Sequence, residues 1–273
     1  NGAATLYYPL WHLEVEDLLV LKNNKGTEDN RVRHMDYGVQ FNKLMYERLM
    51  SGGNITLFSP HDVPGLYDAF FADQDEFKRL YEQAERKTSI RKKVISATEL
   101  FSAFMQERKD TGRIYLQNVD HANEHSSFKT EVAPIKQSNL CCEIDLPTKP
   151  LNDINDPNGE IALCTLSAVN WGSFKNPEDM EKACTLAVRG LDALLSYQNY
   201  PIIAAQMATE NRRPLGVGII NLAFFLAKND VSYSNPDALK LVDTWAQHWS
   251  YYLIKASADL AVEFGACPKN NET

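Results

Sequence analysis

At 273 residues with 44% hydrophobic content, the chain is long enough to bury a sizeable core, as one large domain or two ordinary ones. Its 36 acidic residues outnumber 28 basic ones for a net charge of −8, and no cationic cluster offers a nucleic-acid surface. Five scattered cysteines are not the dense, even-numbered framework of a secreted disulfide scaffold, and they point to a reducing, cytoplasmic setting.

In chain order, "TLYYPLWHLEVEDLLVL" begins strand-like and then turns amphipathic. In "HMDYGVQFNKLMYERLM" the spacing of Met35, Val39, Leu44, Met45 and Leu49 predicts a helix. "ITLFSP" reads as a short strand ending in a Ser-Pro turn. "QDEFKRLYEQAERK" and "SATELFSAFMQERKD" read as helices, the second opened by a capping box of Ser96 and Glu99, and "GRIYLQNVD" returns to strand. From His121 to Lys175 the chain is rich in Asn, Asp, Pro and Gly, with little helical periodicity; long irregular stretches of this kind are often functional. Beyond Asn176 helices resume in "PEDMEKACTLAVRGLDALLSYQ" and "PDALKLVDTWAQHWSYYLIKASADLAVEF". Between them, the apolar run from Leu215 to Ala227 is too short for a bilayer core of about 30 Å, so it reads as buried and no membrane span is expected. Strands alternating with helices predict an α/β fold. The absence of an initiating Met, and a terminus just after a helical pattern, suggest a piece cut from a longer chain.

The chemically pointed stretch is "SNLCCEIDLPTKP", Ser138 to Pro150. If it is extended, Asn139, Cys141 and Glu143 project from one face, with Leu140 and Cys142 on the other. Cys141 would then sit between a hydrogen-bonding amide and a carboxylate able to act as a general base, with Cys142 as packing behind it. Spacing alone leaves a second reading open, in which Cys141 is buried and inert and Glu143 is a surface acid. Elsewhere, His121 and His125 with Asp120 would share a helix face as metal ligands, but the segment reads better as a hydrogen-bonded loop, and no metal site is expected. Ser59, His61 and Asp62 are sequence neighbours, unlike a triad, and read as a Ser-Pro helix start. Gly216 and Gly218 lack the third glycine of a dinucleotide fingerprint, and Arg212 with Arg213 reads as a solvated pair at a helix start.

The text "QSNLCCEIDLPTKPLNDINDPNGEIALCTLSAVN" closely resembles the active-site region of the catalytic large subunit of class I ribonucleotide reductases. "AATLYYPLWHLEVEDLLVLKNN", "NRVRHMDYGVQFNKLMYERL", "ITLFSPHDVPGLYDAFFADQ", "TGRIYLQNVDHAN" and "GACP" extend the likeness over essentially the whole chain, as roughly the middle third of that subunit. The resemblance implies part of a ten-stranded α/β barrel with an inward active-site loop. Residues 1–137 would form the late first half-barrel, and 138–273 the loop and the start of the second. It implies that Cys141 is the thiyl-radical cysteine that abstracts the 3′ hydrogen of a ribonucleotide, and that Glu143 takes the 3′-hydroxyl proton. Asn139 would hold the substrate hydroxyls, with Leu140 and Cys142 completing the substrate-contacting run. Cys164 would be one of two reducing cysteines, its partner lying outside this chain. Cys142 stands where the family usually carries an aliphatic residue, and Cys184, inside an amphipathic helix, reads as core.

The same resemblance implies ribonucleoside diphosphate as substrate, deoxyribonucleotide synthesis for DNA replication as the purpose, and a homodimer of the large subunit. A metal-containing small subunit would supply the radical, thioredoxin or glutaredoxin would restore the dithiol, and ATP or deoxynucleotide effectors would bind elsewhere in the subunit. No cofactor is expected on this segment itself. "NGAAT" resembles the tail of the loop that relays effector identity to the substrate site, and the main grip on the substrate phosphate is implied to lie after Thr273. The alternative is a noncatalytic truncated or split-gene fragment that acts only by assembly with the missing parts.

Overall fold

The computed structural model describes residues 2–273, so Asn1 of the "NGAAT" opening lies outside the described residues. The chain forms two compact units, Asn1–Thr148 with Glu272, and Lys149–Asn271 with Thr273; the stretch 138–148 therefore packs with the first. The first unit contains β1 (Thr5–Pro9), α1 (Val15–Leu19), β2 (Asp36–Phe41), α2 (Lys43–Met50), β3 (Asn54–Phe58), α3 (Leu66–Ala72), α4 (Gln74–Arg86), β4 (Lys92–Ser96), α5 (Ala97–Thr111), β5 (Ile114–Asn118) and α6 (Val119–Glu124). The second contains β6 (Thr165–Asn170), α7 (Glu181–Tyr197), α8 (Ile203–Arg212), β7 (Leu215–Ile220), α9 (Leu222–Lys228) and α10 (Pro236–Phe264). Among the described residues no helix is long and apolar enough to cross a membrane.

The α/β expectation holds. β1, β2 and β5 form a parallel sheet in that order, β3 and β4 an antiparallel pair, and β6 and β7 a parallel pair reached through α7 and α8. Register decides what each sheet face presents. Tyr7, Gly38 and Tyr115 lie opposite one another, as do Pro9, Gln40 and Gln117, so one face carries Thr5, Tyr7, Gly38, Gln40, Tyr115 and Gln117. The other face carries Tyr8, Tyr37, Val39, Phe41 and Ile114, all buried in the apolar core of the unit. A Cβ built on Gly38 would meet the Tyr7 ring at 2.4 Å, so only glycine lets that ring lie across the sheet.

Aromatic packing fixes the helices of the first unit. Trp11 meets Phe70 edge-on at 5.6 Å, and Phe77 and Tyr81, one turn apart on α4, continue the cluster. Tyr81 also closes a buried pair of bonds with Thr56, donating to its carbonyl at 2.6 Å and accepting from its amide at 2.7 Å. α4 is capped by Asp73, which accepts from Glu76 N–H at 2.9 Å. In the second unit Trp171, Phe225 and Trp245 form the core, with Cys184 of α7 fully buried as expected.

Five local expectations change. The apolar run from Leu215 to Ala227, expected to be buried, forms β7 and α9, in which Phe225 and Leu226 are buried while Ile220 and Phe224 are exposed. The helix expected over "HMDYGVQFNKLMYERLM" is β2 followed by α2, the switch falling at Asn42, whose side chain caps α2. Ser96 precedes α5 but makes no side-chain cap bond, so the capping box with Glu99 does not form. "VDHANE" is the short helix α6, and the buried Asn123 bonds back to Val119 O at 2.8 Å within it. Arg212 and Arg213 close α8 and do not open a helix, and both are ion-paired, Arg212 with Glu160 and Arg213 with Asp192 at 2.7 Å.

Glu160 is the electrostatic centre of the second unit. Its side chain is 6% exposed and meets Arg212, Lys269 at 2.6 Å and Lys149 at 3.5 Å, while its backbone pairs with that of Lys149. Desolvation raises its carboxyl, but hydrogen bonds from Lys269 and Arg212, with the charges of Arg212 and Lys149, outweigh this and hold it below the ordinary range. Glu160→Gln removes the charge that the buried Arg212 requires and is expected to lower unfolding free energy by about 3 kcal/mol, measured by urea titration at pH 7. A depressed carboxyl contributes stability above its unfolded value, near 4.5. The wild-type advantage should therefore be full above that pH and disappear as pH falls through the lower folded value. Gly38→Ala is expected to cost about 1–3 kcal/mol in the same measurement, because the Tyr7 ring must leave its place.

Candidate active-site turn

Two buried amides on the polar face of the β1–β2–β5 sheet hold the following segment. Gln40 Nε2 donates to Gln117 Oε1 at 2.9 Å and to Lys136 O at 2.7 Å, and Gln117 Nε2 donates to Asp145 Oδ1 at 3.2 Å. Asn123 secures the approach, donating to Ile135 O at 2.9 Å and accepting from Ile135 N–H at 2.8 Å. Residues 135, 136 and 145 are thus fixed, and the chain between them turns back on itself, with Ser138 bridging Asp145 in antiparallel fashion.

The turn is closed by a side chain. Asn139 Oδ1 accepts from Glu143 N–H at 3.0 Å and Ile144 N–H at 3.2 Å, while Asn139 N–H donates to Ile144 O at 3.2 Å. Two backbone donors on one oxygen fix the orientation of the amide, which leaves Nδ2 as its open donor. Cys142 N–H reaches Asn139 O at 3.1 Å, and Cys142 adopts a left-handed backbone, φ 64°. β1 grips the turn from the sheet side, Thr5 Oγ1 donating to Leu140 O and Tyr7 Oη to Asn139 O, each at 2.7 Å.

This geometry corrects the expected alternation of faces. The segment is a tight turn with no extended run, so strand pleat does not set the directions of the Asn139, Cys141 and Glu143 side chains. Cys141 and Glu143 are exposed, whereas Cys142 is half-buried. A cleft of about 540 Å³ beside the turn is lined by Glu143, Cys142, Asp145, Gln117, Asn118 and the α6 histidines, among others. The His121 and His125 rings are 5.7 Å apart. Among the described residues no group of three or more His, Cys, Asp or Glu side chains is disposed to hold a metal.

The electrostatics of the site follow from burial. Desolvation, then the neighbouring Cys142, push the Tyr7 phenol well above its ordinary range. Tyr115 is raised by desolvation and then by the nearby Cys141, Asp36 and Cys142. Desolvation raises Asp145 despite hydrogen bonds from Ser138 and Gln117. Composition and motif reading missed Tyr7, Tyr115, Gln40 and Gln117. Their signal lay in the alternation of "YGVQF" and "YLQN", which sets Gly38, Gln40 and Gln117 on a face no apolar core would accept.

Cys164 belongs to the second unit, immediately before β6, and its Sγ lies 3.3 Å from where a Gly216 Cβ would stand. Gly216 and Gly218 are inside β7, away from any phosphate-cradling loop. A cleft of about 710 Å³ in this unit is lined by Arg189, Arg212, Arg213 and Cys267 among others, and its arginines are paired with Glu263, Glu160 and Asp192.

The whole chain, residues 1–273, matches the family model described as "Ribonucleotide reductase, barrel domain". It is 64% identical over 273 residues to the ribonucleoside-diphosphate reductase 1 subunit alpha of Escherichia coli, and 63% identical to the subunit alpha of Haemophilus influenzae. It is 54% identical over 277 aligned residues to that of Enterobacteria phage T4. Each alignment covers 100% of this chain and 36% of the relative, so the chain spans about a third of the length of these curated relatives. With its α/β strand order and the Asn139–Glu143 turn held on a polar sheet face, the chain belongs to the ribonucleotide reductase family and comprises barrel-domain sequence.

Proposed function

We propose that these residues serve as the radical-bearing segment of a ribonucleoside-diphosphate reductase catalytic subunit. The observation that carries the reading is the turn itself, where an exposed cysteine is held between a capping amide and an exposed carboxylate in a chain of this family. Cys141, as a thiyl radical, takes the hydrogen atom from C3′ of a ribonucleoside diphosphate, so an S–H bond forms as a C–H bond breaks. Glu143 takes the 3′-hydroxyl proton. Asn139, with Oδ1 committed to the turn, offers Nδ2 to a substrate hydroxyl, and the neighbouring Leu140 and Cys142 complete the contacting run. The 2′-hydroxyl leaves as water while a dithiol becomes a disulfide; Cys164 supplies one of its sulfurs and a cysteine elsewhere in the full subunit the other.

In this reading a small subunit provides the oxidising equivalent from its own metal centre, thioredoxin or glutaredoxin reduces the disulfide, and the large subunit works as a cytoplasmic homodimer regulated by ATP and deoxynucleotides bound elsewhere. The supports are the family match and the alpha-subunit names of the relatives.

In a full-length subunit carrying these residues, Cys141→Ser is expected to reduce 3′ carbon–hydrogen cleavage to background while nucleotide binding persists, measured by tritium release from 3′-labelled substrate and by equilibrium dialysis. Normal cleavage would refute the radical assignment. The purified 273-residue chain alone is expected to give no deoxynucleotide, since its reducing partner cysteine and the main phosphate grip are assigned elsewhere; turnover in a coupled assay would contradict that assignment.

A further inference from the structure

Gly216 is the second residue of β7, inside a strand, where glycine loses more conformational freedom than any other residue and contributes no packing. Register shows what the bare position borders. Leu166 lies opposite Gly216 and Ala168 opposite Gly218, while Val169 and Ile219, the next pair but one along from Leu166 and Gly216, pack into the apolar core of the unit. Gly216 therefore belongs to the face of the pair turned away from that core, where Leu166 is 61% exposed.

A Cβ at Gly216 would stand 2.5 Å from Leu166 Cδ2 and 3.3 Å from Cys164 Sγ. The two contacts are unequal. Leu166 Cδ2 ends a flexible, exposed side chain that can swing aside. The Cys164 sulfur hangs on a single rotatable side-chain bond, so it clears a methyl group only by straining that torsion or by jumping to another staggered well, which carries the sulfur to a different place. Gly218 supplies the contrast on the same strand and face: a Cβ there meets nothing nearer than Ser167 O at 3.9 Å, an ordinary contact.

A thiol absorbs such a push by rotating, whereas a disulfide has no such freedom. The bond requires sulfurs about 2.05 Å apart and a torsion of about 90° across them. As it forms, the two thiols give up two electrons and two protons, which reduce the substrate carbon as its hydroxyl departs as water. Displacing a reacting group by about 1 Å can cost a factor of about 10². Resting on the assignment of Cys164 as a reducing cysteine, we propose that Gly216 is a positioning residue, its missing side chain forming the seat of the Cys164 sulfur and setting the orientation from which the disulfide closes.

The test follows two events in a single turnover of the reductase holoenzyme. One is 3′ carbon–hydrogen cleavage, read as tritium release from 3′-labelled substrate; the other is deoxynucleotide formed by the pre-reduced enzyme without external reductant. In Gly216→Ala the ratio of deoxynucleotide to cleavage is expected to fall about tenfold, because abstraction is the task of Cys141 while reduction needs the Cys164 sulfur in its seat. Gly218→Ala adds the same methyl group to the same face without the contact, and should keep the ratio within about twofold of the unsubstituted enzyme. A general folding defect lowers both events together and leaves their ratio alone. An unchanged ratio in Gly216→Ala therefore overturns the proposal, as does an equal fall in Gly218→Ala.

A second measurement needs no radical. With the full-length subunit equilibrated in glutathione redox buffers and its thiols trapped by alkylation, Gly216→Ala should shift the equilibrium between Cys164 and its partner about tenfold towards the dithiol, since the strain falls on the bonded state. An equilibrium that does not move would also overturn the proposal. Failure of the underlying assignment has a different signature, full turnover retained by Cys164→Ser.

Discussion

The arrangement of the site depends on the need to satisfy two buried amides. Gln40 is fully buried and Gln117 nearly so, on a strand face that would otherwise have to be apolar. Leaving such a group without a partner costs about 1–3 kcal/mol, more than most surface contacts return. Each amide reaches a partner outside the sheet, Gln40 the Lys136 carbonyl and Gln117 the Asp145 carboxylate. These two bonds secure the arms of the turn that carries Cys141, so hydrogen-bond demand in the sheet beneath helps to set its position.

That division of labour explains why so polar a segment can be ordered. From 126 to 164 the chain has almost no regular structure, and its own apolar contacts are few. Order comes from three side chains that act as backbone substitutes: Asn123 pairs with both backbone groups of Ile135, Asn139 collects the amides of Glu143 and Ile144, and Asp156 accepts from Asn152 and Asn158. The turn is thereby ordered without regular structure of its own, and Cys141 stays exposed.

Much of this was legible in the chain's text. α4 and α10 followed from long apolar periodicity, and α10 spans the same residues, Pro236 to Phe264, as its sequence pattern. β2 was obscured because Met35 and Val39 happen to fall on a helical spacing shared with the real helix that follows. The charged Lys92 and Lys93 hid β4, a strand of an isolated two-stranded pair that tolerates polar residues. The two neighbouring cysteines do differ in exposure, but the alternation of faces from which that difference was expected is absent. A side chain that bonds to amides four and five residues ahead competes with strand formation, and periodicity does not register that competition. Tyr7 was missed because its importance comes from register with Gly38 and from contacts more than 130 residues away along the chain.

The left-handed backbone of Cys142 limits how this position can vary. A side chain branched at Cβ is strongly disfavoured at φ 64°, by about 1–2 kcal/mol or more over the right-handed conformation, whereas unbranched residues, Asn and Gly are accommodated. Val, Ile and Thr are therefore shut out by the main chain before any chemistry is consulted. Exploration of sequence at this site is confined to a short set of unbranched side chains, and within that set a thiol is among the smallest.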